Sequence, residues 1–569
     1  MISGILGLVV VFAIGGGILA TVIQRGDEPV DRGAAVRRIY LYLVSLISYI
    51  AAIFGLDGVL RTLADVWLGN QGGLYTINSA GYLREQLART AGILVIATVV
   101  FLLHWAFIQR RRTQSGEATA ALRKLFFYVA LGFTIGFALV NSYTLITGIA
   151  DLAFGLPLDQ SGIWPNEWLH LAAIILASLT LMVYLRTELQ ADGDYGAETN
   201  RAARLWRKLY LLVACLAGLT LILWGTTNLL NALLQSLFDQ LSSVLSSTGG
   251  LPQSWSGSIA QILLGALLLR AHWREWQSIT QSSPAELASS VRRLYLYAAV
   301  IISAAFALMG SATLLNAILL RIFGNNSDSW FDLLQQNRLS VAAIAPGIIA
   351  WRWYWRQLHS ESKLFGESQE ADTIRRIYYY AVAAAGLALL WVGAGALVQV
   401  ILDWLFRGDL LGQGLWREPL ASGLSLLAVG APIWSLHWQA VQPIARQADE
   451  AGAIERGSLP RRIYLYGVAL IGALVILYFV AQVLYRLFLM LLGEPNAAFF
   501  SAQTADEVAR SLIAAAIWGV HMLALRTDIT MGGQAPAAQR AEQRLQIESR
   551  IMRLEQELAA AKEELQKFD

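Results

Sequence analysis

The feature that most constrains this chain is a basic pair that recurs six times, each time opening a long apolar, aromatic-rich segment. The copies begin Arg37-Arg38-Ile39-Tyr40-Leu41-Tyr42, Arg123-Lys124-Leu125-Phe126-Phe127-Tyr128 and Arg207-Lys208-Leu209-Tyr210-Leu211-Leu212. They continue as Arg292-Arg293-Leu294-Tyr295-Leu296-Tyr297, Arg375-Arg376-Ile377-Tyr378-Tyr379-Tyr380 and Arg461-Arg462-Ile463-Tyr464-Leu465-Tyr466. The second basic residues lie 86, 84, 85, 83 and 86 residues apart. A period this steady marks tandem copies of one unit, and such arrays build their fold by stacking neighbours. Within each copy the apolar segment leads to a polar loop holding Gly, Pro, Asn or Ser. A second apolar segment then returns and ends among aromatic, His and Arg residues.

Composition says where these segments sit. The chain is 56% hydrophobic and 15% charged, against about 25% charged in a soluble protein. A helix of about 20 apolar residues crosses the hydrocarbon core with its own backbone groups satisfied, and runs such as Leu209–Trp224 and Tyr464–Leu484 fit that need. Nothing resembles the ten-residue alternation of an outer-membrane barrel. Two spans per copy give twelve. Met1–Ile23, with Gly15-Gly16-Gly17, adds a thirteenth; it lacks the charged start of a signal peptide and reads as an uncleaved span. The expected fold is an all-α integral membrane protein with about 13 transmembrane helices. The expected boundaries are 1–26 for the first span, then 27–112, 113–200, 201–283, 284–366, 367–452 and 453–531 for the repeats, and 532–569 for a linker and coiled-coil tail.

Lys/Arg bias orients the array. The segments leading into the basic pairs hold 27 Lys/Arg, whereas the loops inside the copies hold 9. The basic ends are therefore expected in the cytoplasm of a bacterial inner membrane, with the N-terminus outside and the tail inside. Two spans per copy make all copies parallel, unlike the inverted repeats of many transporters. A net charge of +3 does not suggest nucleic acid, and a lone Cys215 forms no disulfide or cysteine metal site within the chain.

The Arg-Arg-x-Tyr-x-Tyr start, the two-helix unit and its tandem copying resemble a bacterial membrane-domain family known only as a domain of unknown function. The resemblance spans most of residues 33–528. Copies one, four, five and six match the start motif fully, while Phe126 and Leu212 replace tyrosines in copies two and three. It implies membrane location and tandem hairpins, and brings no activity.

Several residues are candidates for binding. Arg37, Arg38, Arg292, Arg293, Arg375, Arg376, Arg461 and Arg462 either ring an anionic lipid or ligand, or snorkel to the headgroups as topology determinants. His104, His272, His437 and His521 share one repeat position and are the only metal or haem candidates, set against interfacial histidines beside tryptophan. Trp67, Trp168, Trp404 and Trp438 read as an aromatic belt. Asp65, Asp151 and Asp403 stand 27 residues after a basic pair, near the far helix end. Asp57 and Arg61 are spaced to pair on one helix face, and Asn141, Asn228, Asn231, Asn316, Gln399 and Gln482 to bond between helices.

No Walker loop, His-Glu-x-x-His, Cys-x-x-Cys or Gly-x-Ser-x-Gly occurs, so no catalytic residue and no cofactor is expected. The tail carries Ile547, Ile551, Leu554, Leu558, Ala561, Leu565 and Phe568 at alternating steps of 4 and 3, a heptad seam. Met531-Gly532-Gly533-Gln534-Ala535-Pro536 reads as the linker before it. A lipid-embedded scaffold or accessory subunit, with a protein partner or a second copy on the seam, is the expected function. A transporter or channel, and a haem-binding subunit, are the alternatives.

Overall fold

The computed structural model describes residues 32–68, 79–113, 117–156, 165–193, 201–241, 251–282, 286–287, 289–324, 329–365, 369–407, 414–494 and 499–565. The first span and its Gly15-Gly16-Gly17 lie outside them. Among the described residues twelve long helices form six hairpins. Hairpin 1 is α1 (Arg32–Leu68) and α2 (Ser79–Arg110), and hairpin 2 is α3 (Ala121–Ala153) and α4 (Pro165–Ala191). Hairpin 3 is α5 (Arg201–Leu241) and α6 (Leu251–Ser282). Hairpin 4 is α7 (Ser290–Ile322) and α9 (Arg338–Phe365), with the short α8 (Trp330–Gln336) between them. Hairpin 5 is α10 (Gln369–Arg407) and α11 (Arg417–Ala445), followed by the short α12 (Glu450–Gly457). Hairpin 6 is α13 (Leu459–Leu491) and α14 (Ala502–Leu565).

Ten of these helices, among the described residues, are long and apolar enough to cross a membrane. Of the thirteen expected spans, the first lies outside the described residues, and α6 and α9 fall short of this length and apolarity. Arg270 and Arg274 cut into the apolar part of α6, and Arg352 and Arg356 into that of α9, so each leaves a shorter apolar stretch. The first helices of hairpins 2, 4 and 6 end at glycines in the left-handed region: Gly155 at φ 83°, Gly324 at 74° and Gly493 at 77°. A residue without Cβ adopts that conformation freely, and the turn it makes caps the last carbonyls. Leu156 N–H bonds Asp151 O at 3.0 Å in this way.

The chain forms two compact units, Met1–Ala307 with Arg338–Gly366, and Leu308–Asn337 with Glu367–Asp569. In the first, α1 packs on α2 and on both helices of hairpin 2, and α3 packs on α4 and on both helices of hairpin 3. In the second, α10 packs on α11 and on both helices of hairpin 6. In these three cases a first helix contacts its own partner and the whole of the next hairpin.

Helix α14 is continuous over 64 residues. The stretch expected as a linker, Met531–Pro536, is helical and is followed by the strong helix formers Ala537, Ala538, Gln539 and Arg540. Of the seam, Ile551 is described and exposed. The side chains of Ile547, Leu554, Leu558, Ala561 and Leu565, and all of Phe568, lie outside the described residues.

Candidate functional site: the arginine nodes at the basic ends

The six basic pairs are not equivalent. In hairpins 2, 4 and 6 the first arginine of the pair, or Arg123 of the Arg-Lys pair, is buried at the seam with the preceding hairpin. Arg123, Arg292 and Arg461 are 1%, 1% and 0% exposed. Each forks onto a carboxylate at the end of its own second helix. Arg123 reaches Asp192 at 2.7 and 2.9 Å, Arg292 reaches Glu361 at 2.8 and 2.5 Å, and Arg461 reaches Asp528 at 2.6 and 3.0 Å. Each guanidinium also lies over a tryptophan of the hairpin before it: Trp105 at 5.6 Å, Trp273 at 5.0 Å and Trp438 at 5.6 Å. Gln109 and Gln442 accept from Arg123 and Arg461 at 3.2 and 2.8 Å.

A two-pronged arginine–carboxylate pair is a strong, directional hydrogen bond, and the ring face adds cation–π attraction on the desolvated side. Losing one partner of such a buried pair costs about 3–5 kcal/mol. The node therefore ties two hairpins together through one side chain.

In hairpins 1, 3 and 5 the second basic residue carries a long-range bond, and in hairpin 3 the first, Arg207, is buried as well and reaches Glu275 of its own second helix at 3.3 Å. Arg38 donates to Glu117 at 2.8 Å, Lys208 to Glu286 at 2.6 Å and Arg376 to Glu455 at 2.7 Å. Each acid lies in the segment leading into the next hairpin. Two separate bonds thus join every odd hairpin to the even one that follows.

These contacts correct the reading of the pairs as lipid-facing. Arg292, Arg293 and Arg461 are buried, and Arg293 donates to Leu358 O at 3.1 Å. Arg38 and Arg376 bond protein carboxylates, and Arg375 bonds Asp372. Arg37 and Arg462 are exposed. Trp438, expected in an aromatic belt, is buried beneath Arg461; Trp67 and Trp404 are exposed.

The histidines are also engaged within their own hairpins. Nδ1 of His104, His272, His437 and His521 lies 2.8, 2.9, 2.7 and 2.8 Å from the carbonyl four residues back. A carbonyl only accepts, so Nδ1 donates there, and with the single ring proton on Nδ1 the Nε2 is an acceptor. That atom accepts from the motif tyrosine: Tyr40 at 3.2 Å, Tyr210 at 2.8 Å, Tyr378 at 3.3 Å and Tyr464 at 2.9 Å. In hairpin 4, Tyr354 replaces the histidine and pairs with Tyr295 at 2.8 Å. In hairpin 2, Phe126 has no hydroxyl to share, and Tyr184 accepts from Trp105 Nε1 at 2.6 Å instead. Both ring nitrogens of each of these four histidines thus have partners within the chain. Among the described residues no three His, Cys, Asp or Glu groups gather to hold a metal ion.

The family model described as "Domain of unknown function (DUF5671)" matches residues 38–180, 208–345 and 376–520. The chain belongs to this family. No curated protein and no solved structure matches it. Each match spans two hairpins and begins at the second basic residue of an odd copy, Arg38, Lys208 or Arg376. The DUF5671 domain is thus a pair of hairpins, and the chain holds three in tandem. The arginine and tryptophan of each node lie within a matched stretch, and the carboxylate, Asp192, Glu361 or Asp528, lies just beyond its end.

The far ends carry other polar groups. His170, absent from the sequence candidates, donates through Nε2 to Asp57 at 2.8 Å, while Asn166 donates to Asp65 at 2.5 Å. Both bonds join α4 to α1. Asp57 therefore pairs across hairpins rather than with Arg61, which is exposed. Asn141 turns back onto Phe137 O of its own helix at 2.9 Å, and not onto a neighbouring one.

Proposed function

We propose that this DUF5671 protein is a non-enzymatic membrane scaffold, or accessory subunit of a membrane assembly, whose tail recruits a protein partner or a second copy. The observation that carries the reading is the consumption of the repeated polar groups. Three arginine nodes, three second-basic pairs and four histidine–tyrosine pairs all end on other groups of the same chain. A repeated apparatus built this way serves to hold hairpins in register. The second support is α14, whose candidate span Ala502–Met531 runs unbroken into 34 further helical residues. At 1.5 Å per residue these project about 50 Å. A rigid lever fixed in the membrane, with a heptad seam and an exposed Ile551, suits assembly on the cytoplasmic side.

Purification of the full chain from native membranes in mild detergent tests this. The reading expects a stoichiometric partner or a homo-oligomer, lost when Leu554→Asp and Leu558→Asp break the seam. A partner-free monomer from native membranes contradicts it. Transport between repeats is the second reading. It is favoured by the His170–Asp57 bond, which puts ionisable groups between hairpins about 30 Å along α1 from Arg37. Ion or solute flux in proteoliposomes that falls with Asp57→Asn supports transport over scaffolding.

A further inference from the structure

Hairpin 1 has an open face. An apolar groove runs between α1 and α2, walled by Val44, Ile47 and Ala51 on one side and Gly92, Ile96 and Val100 on the other. The same face of hairpin 3 is covered. Tyr40 corresponds to Tyr210 and His104 to His272, which places Leu264 at the position of Ile96 and Gly257 at that of Arg89. There α3, the first helix of the preceding hairpin, lies against both α5 and α6. Its Tyr143 hydroxyl reaches Gly257 so closely that an added Cβ would stand 2.7 Å from it. The burial follows: Leu264 is 7% exposed, whereas Ile96 is 68% exposed. The repeat therefore has a slot for a helix from the N-terminal side, filled in hairpin 3 and open in hairpin 1.

The chain before hairpin 1 has the means to fill it. Met1–Ile23 is apolar throughout, and as a helix it would measure about 34 Å, enough to cross the hydrocarbon core. Residues 24–31 connect it to α1, and eight residues reach at most about 28 Å. The segment is therefore within reach of a place beside α1. The other sides of α1 are taken by α2, α3 and α4. Depth agrees too: Gly15 lies ten residues before Arg25 and Ile47 ten residues after Arg37. With the two arginines at one headgroup level, the glycine triplet meets the branched wall of the groove, where small residues let helix backbones approach.

We propose that Met1–Ile23 crosses the membrane antiparallel to α1, seats in the groove of hairpin 1 and caps the array. Cysteine crosslinking in native membranes tests it, in a full chain carrying Cys215→Ala. Ile96→Cys is combined with a single cysteine at each of residues 8–14, because Ile96 lies 14 residues before Arg110 and Val11 lies 14 before Arg25. The expected result is an intramolecular disulfide at positions three or four apart, on one helical face around Val11. Absence of a crosslink at all seven positions overturns the proposal. Crosslinks only between two chains also overturn it, and assign the groove to a second copy. As an independent readout that needs no pair, Ile96→Cys alone is expected to lose reactivity toward a bilayer-soluble maleimide. Leu102→Cys, on the same helix and 55% exposed, stays reactive. Equal labelling at the two sites contradicts the seating.

Discussion

Odd and even hairpins share a start motif, yet use it differently, and hairpin 3 combines both uses, since its Arg207 is 4% exposed and bonds Glu275 of its own second helix at 3.3 Å. In hairpins 2, 4 and 6 the first residue of the pair is buried and bonded to its own second helix. In hairpins 1, 3 and 5 the second residue reaches forward, into the segment that leads to the even neighbour. Glycine follows this division in every hairpin but the fourth. Fifteen residues after the motif tyrosine, the odd hairpins carry Gly55, Gly225 and Gly393. A Cβ on Gly55 would stand 2.7 Å from Leu94 N, and one on Gly393 2.9 Å from Leu427 N. Hairpins 2 and 6 carry Asn141 and Phe479 there, and hairpin 4 carries Gly310. The difference teaches that copies of one hairpin have become complementary halves. Odd hairpins close tightly on themselves and supply the tryptophan, and even hairpins supply the arginine that lies over it.

The largest break in this comparison is expected at the node. Arg292→Ala leaves the Glu361 carboxylate buried without its partner and should cost about 3–5 kcal/mol. Arg375→Ala, the odd counterpart, loses a half-exposed local pair and should cost about 0.5 kcal/mol. Thermal unfolding in detergent, followed by the size-exclusion profile, compares the two; equal losses would erase the odd–even distinction. Next comes the hairpin interior. Gly393→Leu forces two backbones apart and should cost about 1–3 kcal/mol, whereas Gly132→Leu meets nothing within 4 Å and should leave the melting profile unchanged. A smaller effect is expected from Tyr210→Phe, which removes one hydrogen bond to His272 and should cost about 1 kcal/mol. Arg462→Ala, exposed at the end of the series, should leave the midpoint of the melt where it is.

The hairpins and their polar ends were legible in the sequence because local pattern determines them. Apolar runs of membrane length, basic pairs and a steady period each lie within one copy. The pairing of hairpins into domains was hidden by that steadiness, since spacings of 83 to 86 residues treat all copies alike. A signal existed in the acids. Glu117, Glu286 and Glu455 follow odd pairs by 78 or 79 residues, and Asp192, Glu361 and Asp528 follow the even first residue by 67 to 69. The histidines told part of it, as His-Trp recurs at His104, His272 and His437, the odd copies alone. The burial of Arg123, Arg292 and Arg461 was not legible, because a basic pair reads as a headgroup anchor until its carboxylate, nearly seventy residues on, is brought back by the second helix. The shortfall of α6 and α9 has a similar cause: their place in the repeat suggested spans, whereas Arg270 and Arg352 limit the apolar length.

The claim at the centre is that one arginine joins the two halves of each DUF5671 domain, and the Trp273–Arg292 contact isolates it. A double-mutant cycle with Trp273→Leu and Arg292→Leu, read as unfolding free energy in detergent, measures the coupling between hairpins 3 and 4 at that point. The account predicts a coupling of about 1–2 kcal/mol, the worth of a desolvated cation–π pair. Additive losses, with a coupling near zero, would contradict it.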